Sequence, residues 1–404
     1  MKILIADSFD DSGVEALRSE SFEITHRPGL TADDLPEAIT EVDPDIVVVR
    51  STKVSAKAID CGLNLSLIIR AGAGYDTIDL DRASAKGVFV ANCPGKNALA
   101  VAELTWGLIL ACDRRIPDQT ADLRDGRWKK KEYGKSSGLA GRTLGVIGAG
   151  RIGRAVIARA HAFEMKVATW DRSITEQEAG ELQVTHCESL VNLAKMSDVV
   201  SVHLPSVPET KHLINDKFID SMRQGAILIN TSRGALVDEK ALRRGITEKG
   251  LRAGLDVYEN EPSSGTSEFT NDLISQTGVY GTHHVGASTD QAQESVAMEV
   301  VRIILSYRNS GEVPNCVNRA TAGRSAALLT VRHMNKPGVL ARVFDILGQA
   351  ALNVEEMENL IYEGGQSACA RIQLGKTPSI GEVKAIEEEE TVLGVSVASI
   401  ENKD

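Results

Sequence analysis

Three residues, Arg233, Glu261 and His284, have types and settings that could hold an anion and move a proton. Arg233 stands in Asn-Thr-Ser-Arg-Gly, just past the apolar run Ala226–Asn230, which reads as a buried strand. A guanidinium at a strand's carboxyl end can grip a carboxylate through two parallel hydrogen bonds. His284 has the same strand-end setting, followed by Val-Gly-Ala-Ser-Thr, and an imidazole there could take a hydroxyl proton near neutral pH. Glu261, in Asp-Val-Tyr-Glu-Asn-Glu-Pro, could accept a hydrogen bond from that imidazole and fix its tautomer. Taken singly, the arginine reads as a surface ion-pair partner, the histidine as structural and the glutamate as an acid before a proline. Together, at successive strand ends downstream of one glycine motif, they point to a site.

That motif is Gly148-Ala-Gly150-Arg-Ile-Gly153, a G-x-G-x-x-G directly after the run Thr-Leu-Gly-Val-Ile-Gly and at the opening of a helix. Its glycines permit a tight turn and close approach of a pyrophosphate to the helix N-terminus. Asp171 closes the next apolar run, 18 residues beyond Gly153, where a carboxylate would accept hydrogen bonds from an adenosine ribose and repel a 2′-phosphate. NAD is therefore expected rather than NADP, with the adjacent Arg172 pulling the other way. Arg50, after the run Ile46–Val49, and the basic segment Arg124–Lys135 add local positive charge to a chain of net charge −11. Such charge suits a small, multiply charged anionic substrate. The basic segment reads equally well as solvated surface.

The elements that must position these residues are legible as short apolar runs alternating with longer amphipathic stretches, the rhythm of βαβ units around parallel sheets. Strands are expected at Lys2–Ala6, Ile46–Val49, Leu67–Ile69 and Val88–Ala91. Six more are expected, at Thr143 onward, Lys166–Trp170, Asp198–Leu204, Ala226–Asn230, Ala253–Val257 and Val279–Gly281. Six is the count of a complete dinucleotide-binding sheet. A helix over Ala98–Ile116 leads into the second block, and a helix beyond His284 is expected to pack back on the first. The fold class is α/β, with two Rossmann-like doubly wound parallel-sheet domains. Residues 1–96 and 284–314 would form a discontinuous substrate-binding domain, and 97–283 the NAD-binding domain. Residues 315–325 read as a linker, and 326–404 as a βαββαβ ferredoxin-like unit. The run Glu387–Glu390 reads as a solvated face.

Apolar residues at 42% and charged residues at 25% are ordinary globular values, which excludes wholesale disorder. The acidic balance argues against a general nucleic-acid or membrane-surface binder. Six scattered cysteines without a CxxC pair indicate neither a disulfide scaffold nor a metal site, and fit a reduced, cytoplasmic setting. The first residues are too poor in apolar length for a signal peptide, and no run approaches a membrane span.

Val49-Arg-Ser-Thr52, Arg70-Ala-Gly-Ala-Gly-Tyr-Asp76, Asn97-x-x-x-Val-Ala-Glu103, the glycine motif, Asn-Thr-Ser-Arg-Gly, Leu-Asp-Val-Tyr-Glu-Asn-Glu-Pro and His-His-Val-Gly-Ala-Ser-Thr occur in that order. In this the chain resembles the D-2-hydroxyacid dehydrogenases from about residue 3 to 315, and within them the branch acting on 3-phosphoglycerate. The resemblance implies Arg233, Glu261 and His284 as the catalytic set. It implies NAD contacts at Ala73, Gly148, Gly150, Arg151, Ile152, Gly153, Asp171, Leu204, Thr231, Ser232, Asp256, Gly286 and Ala287. Ala73 and Leu204 depart from the polar residues common in relatives. Substrate contacts would come from Arg50, Ser51, Gly72, Gly74, Asn97, Arg233 and His284. The implied reaction is NAD-dependent oxidation of 3-phospho-D-glycerate to 3-phosphohydroxypyruvate, the first step toward serine, in a homodimer or homotetramer. The C-terminal unit resembles an ACT regulatory domain, whose serine site would comprise His333 and Asn335 of one subunit and Asn353 of another. Relatives acting on hydroxypyruvate or glyoxylate share most of these motifs. Related folds also serve as NAD-sensing corepressors, a role the intact Arg/Glu/His set argues against.

Overall fold

The computed structural model describes residues 1–262, 266–320 and 325–400. Among the described residues the chain forms three sheets and divides into two compact units, Met1–Asn318 and Arg319–Asp404. The first sheet contains β1 (Lys2–Ile5), β2 (Glu23–His26), β3 (Ile46–Val49), β4 (Leu67–Arg70) and β5 (Phe89–Asn92), all parallel in the order β2-β1-β3-β4-β5. Strands buried on both faces can be apolar throughout, and every residue of β3 is buried. β2, absent from the sequence expectation, is the edge strand Glu-Ile-Thr-His. Its polar residues are tolerated because one side has no neighbour.

The second sheet holds β6 (Thr143–Ile147), β7 (Lys166–Trp170), β8 (Thr185–His186), β9 (Val199–Val202), β10 (Ile227–Asn230), β11 (Arg252–Leu255) and β12 (Val279–Gly281). Its order is β12-β11-β10-β9-β6-β7-β8, again parallel. The six expected strands are present. The seventh, β8, is two exposed residues on the far edge, too short to leave an apolar run. The chain order reverses about β6, between β9 and β7, so a crevice opens at the carboxyl ends of β6 and β9 where ligands of such sheets bind.

Two helices secure these sheets. Helix Ala98–Arg114 buries Trp106, Leu108, Ile109 and Cys112 against Leu144, Val146, Ile227 and Ile229. It stops short of the expected Ile116 because Arg115 takes a left-handed φ of 54° and Pro117 opens the next helix, Ile116–Arg124. Helix Asp290–Ser310 packs Val296, Val300, Val301, Ile303 and Ile304 on Ile3, Ile5, Ile46, Val48, Leu67 and Ile69 of the first sheet. The expected linker 315–325 needs correction at its start. Val317 donates to the Val90 carbonyl at 2.8 Å, and Asn318 accepts from the Val90 amide at 2.8 Å. The free edge of β5 supplies backbone groups that must be paired. Residues 321–324 of that linker lie outside the described residues. No described helix is long and apolar enough to cross a membrane.

Glu299 clamps these parts together. Its buried carboxylate accepts from Arg302 at 3.0 and 2.7 Å and from Asn315 at 2.8 Å, and pairs with Lys96 at 3.3 Å. The Arg302 hydrogen bonds, opposed by burial and helped by Asn315 and Lys96, lower its pKa to about 2. A depressed folded-state pKa stabilises the fold above the ordinary carboxyl pKa and loses that contribution as pH falls through the folded value. With Arg302 half exposed, the contribution is on the order of 2–3 kcal/mol. Denaturant unfolding of Glu299→Gln is expected to show that deficit at pH 7, shrinking as pH falls toward about 2. A deficit independent of pH would refute the ionic clamp.

The C-terminal unit has the order β-α-β-β-α-β. Strands β13 (Ala327–Met334), β14 (Val354–Ile361), β15 (Ser367–Leu374) and β16 (Val392–Ser399) form an antiparallel sheet, β14-β15-β13-β16. Helices Val339–Gln349 and Ile380–Glu387 contribute Val343, Leu347 and Ile386 to a core with Leu329, Val331, Ala370 and Ile372. Glu387, Glu388 and Glu390 are exposed.

Candidate active site

Asp256, the first residue after β11, organises the segment that carries His284. Its fully buried carboxylate accepts from Thr282 Oγ at 2.6 Å and from the amides of Val285 and Gly286, both at 2.9 Å. Its carbonyl accepts from the His284 amide at 2.8 Å. These bonds hold His284 at φ 54°, a left-handed conformation that costs a side-chain-bearing residue about 1–2 kcal/mol. Asp256, Gly286 and Ala287 were expected at the cofactor. In the structure the Asp256 carboxylate and the Gly286 amide serve this turn.

His284 Nδ1 lies 2.7 Å from Glu261 Oε2, and Glu261 Oε1 accepts from the Tyr258 amide at 2.8 Å. Burial would push the Glu261 carboxyl up. The His284 ring, the Tyr258 amide and the nearby Arg233 guanidinium outweigh burial and hold it below its usual value. An ionised carboxylate can only accept, so Nδ1 donates and Nε2 is left with a lone pair for an incoming hydroxyl. The His284 side chain is 48% exposed, which leaves that nitrogen open to substrate.

Arg233 follows β10 and reaches the first sheet. Asn230 shapes its loop, donating to the Arg233 carbonyl at 2.9 Å and accepting from the Ser232 amide at 3.0 Å. The guanidinium donates to Asp76 from Nε at 3.3 Å and Nη2 at 3.2 Å, and from Nη1 to the Ser232 carbonyl at 2.8 Å. A Cβ on Gly74 would lie 2.0 Å from Nη2, so a larger residue there would push the guanidinium off Asp76. Asn92 on β5 donates to the Ala73 carbonyl at 2.6 Å and pins the same loop. Asp7, after β1, accepts from the amides of Arg50, Ser51 and Thr52 at 2.7, 3.1 and 3.1 Å. It thereby aims Arg50, whose guanidinium donates to Gln293 at 2.9 Å and Ser288 at 3.5 Å. The Asn97 side-chain oxygen is buried with no partner among the described residues.

The crevice at the carboxyl ends of β6 and β9 carries the glycine turn of a dinucleotide site. Gly148 has a φ of 94°, and a Cβ on Gly153 would fall 2.0 Å from the Gly148 carbonyl oxygen, so the turn closes only with glycine at both. Among the described residues, chain neighbours aside, nothing lies within 4 Å of the position a Gly150 Cβ would take, which leaves the opening of helix Arg151–Ala162 free for a pyrophosphate. Asp171 accepts from the Ala149 amide at 2.7 Å and the Ser173 amide at 2.8 Å. Burial opposes its ionisation, but these amides and the Ser173 hydroxyl keep its pKa below the usual value. Leu204 packs at Gly148, and Thr231 shares a hydrogen bond with Thr105 at 2.9 Å. Ser232 donates to the Val202 carbonyl. Ile152 is partly buried against the core, and the exposed Arg151 bonds the Pro94 carbonyl.

Asp76, Asp7 and Arg70 were missed as site residues. Strand ends flagged their neighbourhood, but only the tertiary pairing assigns them partners. The basic segment is partly neutralised: Arg127 and Lys129 pair with Asp122 at 2.7 and 2.9 Å, and its Glu132 pairs with Arg115 at 3.2 Å, while Arg124, Lys130, Lys131 and Lys135 have no ion pair among the described residues. Within one C-terminal unit the expected effector residues lie at opposite ends of the sheet, as the two halves of a site expected between subunits. His333 pairs in register with Ala368, whereas the Asn353 carbonyl bonds the Gly375 amide at the other end of the sheet. His333 is 2% exposed, with its ring nitrogens on the Met334 carbonyl and Asn359. In the single chain its ring is therefore enclosed, because the strand's inward alternation buries it. Asn335 donates to the Gly365 carbonyl, and Asn353 to Glu355.

Residues 106–286 match the D-isomer specific 2-hydroxyacid dehydrogenase, NAD binding domain. A hydroxypyruvate reductase of Thermotoga maritima is 42% identical over 306 residues, 75% of this chain and 97% of that protein. A D-3-phosphoglycerate dehydrogenase of Methanocaldococcus jannaschii is 40% identical over 320 residues, 79% of this chain. The match spans only 59% of that longer protein. Among solved structures, an NAD-bound 3-phosphoglycerate dehydrogenase of Entamoeba histolytica aligns with a TM-score of 0.66 at 27% identity, covering 80% of this chain and 99% of its own.

Proposed function

The chain belongs to the D-isomer-specific 2-hydroxyacid dehydrogenase family and carries its NAD-binding domain, and from that premise we propose that it oxidises 3-phospho-D-glycerate to 3-phosphohydroxypyruvate. The observation that carries the choice of substrate is Arg50. This second cation is held against Ser288, in the segment that bears His284, and is placed to take a phosphoryl group while Arg233 takes the carboxylate. Residues 97–283 would hold the cofactor at Gly148–Gly153 and Asp171. Residues 1–96 and 284–314 would hold the substrate, with the Ala73 and Gly74 amides and Asn97 at its carboxylate end; the Gly72 amide, also expected there, donates instead to the Arg70 carbonyl at 2.8 Å.

NAD, when bound, supplies the acceptor for the hydride that leaves C2. His284 Nε2 takes the proton of the C2 hydroxyl as the carbonyl forms, and Glu261 stabilises the resulting imidazolium through Nδ1. Arg233 faces the oxygen that becomes the carbonyl and orients the carboxylate. In the reverse direction His284 returns the proton to the alkoxide oxygen. The Thermotoga relative favours a second reading, reduction of hydroxypyruvate.

One assay separates the two. NADH formation from 3-phosphoglycerate and NADH consumption with phosphohydroxypyruvate and hydroxypyruvate are compared in wild type and Arg50→Gln. The proposal expects the phosphorylated keto acid to be preferred, and Arg50→Gln to raise its KM about tenfold or more, with a smaller effect on hydroxypyruvate. Equal effects on both would remove Arg50 from the phosphate. We read the C-terminal unit as an ACT-type regulatory module acting between subunits, with Asn335 and Asn353 as effector contacts and His333 as buried support. An unchanged rate in the same assay at millimolar serine would reject serine as its inhibitor.

A further inference from the structure

β4 ends in a guanidinium to which the mechanism so far gives no task. Arg70 is in register with Val49 on β3, so Arg50 emerges from the neighbouring strand at the next position. On the other side Arg70 is in register with Asn92, which pins the glycine loop. The Arg70 side chain folds beneath that loop: a Cβ on Gly72 would lie 1.5 Å from its Nη1. Nε is buried with no partner, and among the described residues no hydrogen bond or ion pair reaches the guanidinium. The neighbouring charges make matters worse. Burial first, and then the Arg233 and Arg50 cations, push its pKa down to about 10, against a partial offset from Asp76. Asp76 is already bidentate on Arg233.

An unpaired, largely buried cation beside two like charges destabilises the free protein. Such an arrangement persists at functional sites where a ligand relieves it. Three arginines converge from β3, β4 and β10, yet among the described residues one carboxylate, that of Asp76, bonds to their guanidinium groups.

We propose that Arg70 is a ligand for the substrate's second anionic group, completing a three-arginine receptor that selects doubly anionic 2-hydroxy acids over singly charged ones. This rests on the reading above only in taking the second anion to be a phosphoryl group. Arg233 grips the carboxylate common to every 2-hydroxy acid, whereas Arg50 and Arg70 flank the group at C3. A dianion thus neutralises the like-charge cluster that a monoanion leaves uncompensated.

The test uses the full chain with Arg70→Met, which keeps side-chain length without charge. Three readouts are compared with wild type: kcat and KM for phosphohydroxypyruvate and hydroxypyruvate, the inhibition constant of inorganic phosphate against hydroxypyruvate, and the melting temperature of the free protein. The expected result is a fall of about tenfold or more in the preference for the phosphorylated substrate, carried by KM. The phosphate inhibition constant should rise by a similar factor, with a melting temperature equal to or above wild type, since an unpaired buried charge has been removed. Arg70→Lys, without the planar fork, should fall between the two. Unchanged preference and inhibition would overturn the proposal, as would an equal loss on both substrates with a lowered melting temperature, which marks a structural arginine. A wild type that prefers hydroxypyruvate refutes the phosphoglycerate reading alone; Arg70 is then judged by phosphate inhibition, and wild type and variant alike in that readout overturn it.

Discussion

His284→Asn is expected to lower kcat by about two to four orders of magnitude in both directions, the usual range for removing a positioned general acid–base. Asparagine is the informative replacement because His284 sits at φ 54°, where asparagine is tolerated and alanine is strained. The Asp256 bonds to the backbone of 284–286 can then persist, so NADH affinity and melting temperature should stay near wild type. Glu261→Gln keeps an acceptor for Nδ1 but removes the charge that stabilises the imidazolium, and a loss of about ten- to a hundredfold is expected. Because the Glu261 carboxyl is held below its ordinary value, it remains ionised until the medium is more acidic than that value. Any loss of rate between pH 5 and 7 therefore has its origin elsewhere, and that limb should persist in Glu261→Gln. Steady-state rates across pH for both variants check this. A His284→Asn enzyme within tenfold of wild type would remove the histidine from the reaction.

The parts of the fold that the sequence announced are those where local pattern and burial agree. β3, β6, β9 and β10 are apolar runs buried on both faces, and each is followed by the loop that carries chemistry. Arg233, Glu261 and His284 were legible because strand ends in an open parallel sheet face a crevice whatever the details of packing. β2 and β8 were not, because edge strands need no apolar face and leave no period. Arg70 and Asp76 were visible only as members of a glycine-rich motif. Their electrical situation arises from the register of β4 with β3 and from Arg233, 157 residues beyond Asp76 in sequence, which no local reading contains. Glu299 looked like one acid on a helix, and its partners lie on three separate segments. His333 looked available because it belongs to a polar motif, yet the alternation of β13 turns it inward.

Arg233→Lys is expected to lower kcat/KM about 10²- to 10³-fold, and by a similar factor on every 2-keto acid tested. A guanidinium has five N–H donors. Here Nε and one on Nη2 go to Asp76, and one on Nη1 goes to the Ser232 carbonyl. Two remain, one on each terminal nitrogen, and Asp76 and Ser232 fix the plane in which they point. Lysine keeps the charge and loses the plane, so the Asp76 carboxylate draws its ammonium away from the substrate. Asp76→Asn tests the same geometry from the other side. It frees Arg233 to rotate, and an effect of about tenfold is expected, smaller than for Arg233→Lys because the guanidinium survives. The carboxylate is common to phosphorylated and unphosphorylated substrates, so both variants should reduce phosphohydroxypyruvate and hydroxypyruvate alike, in contrast to Arg50 and Arg70. A loss confined to the phosphorylated substrate would instead place Arg233 at the phosphate and exchange the roles of the three arginines.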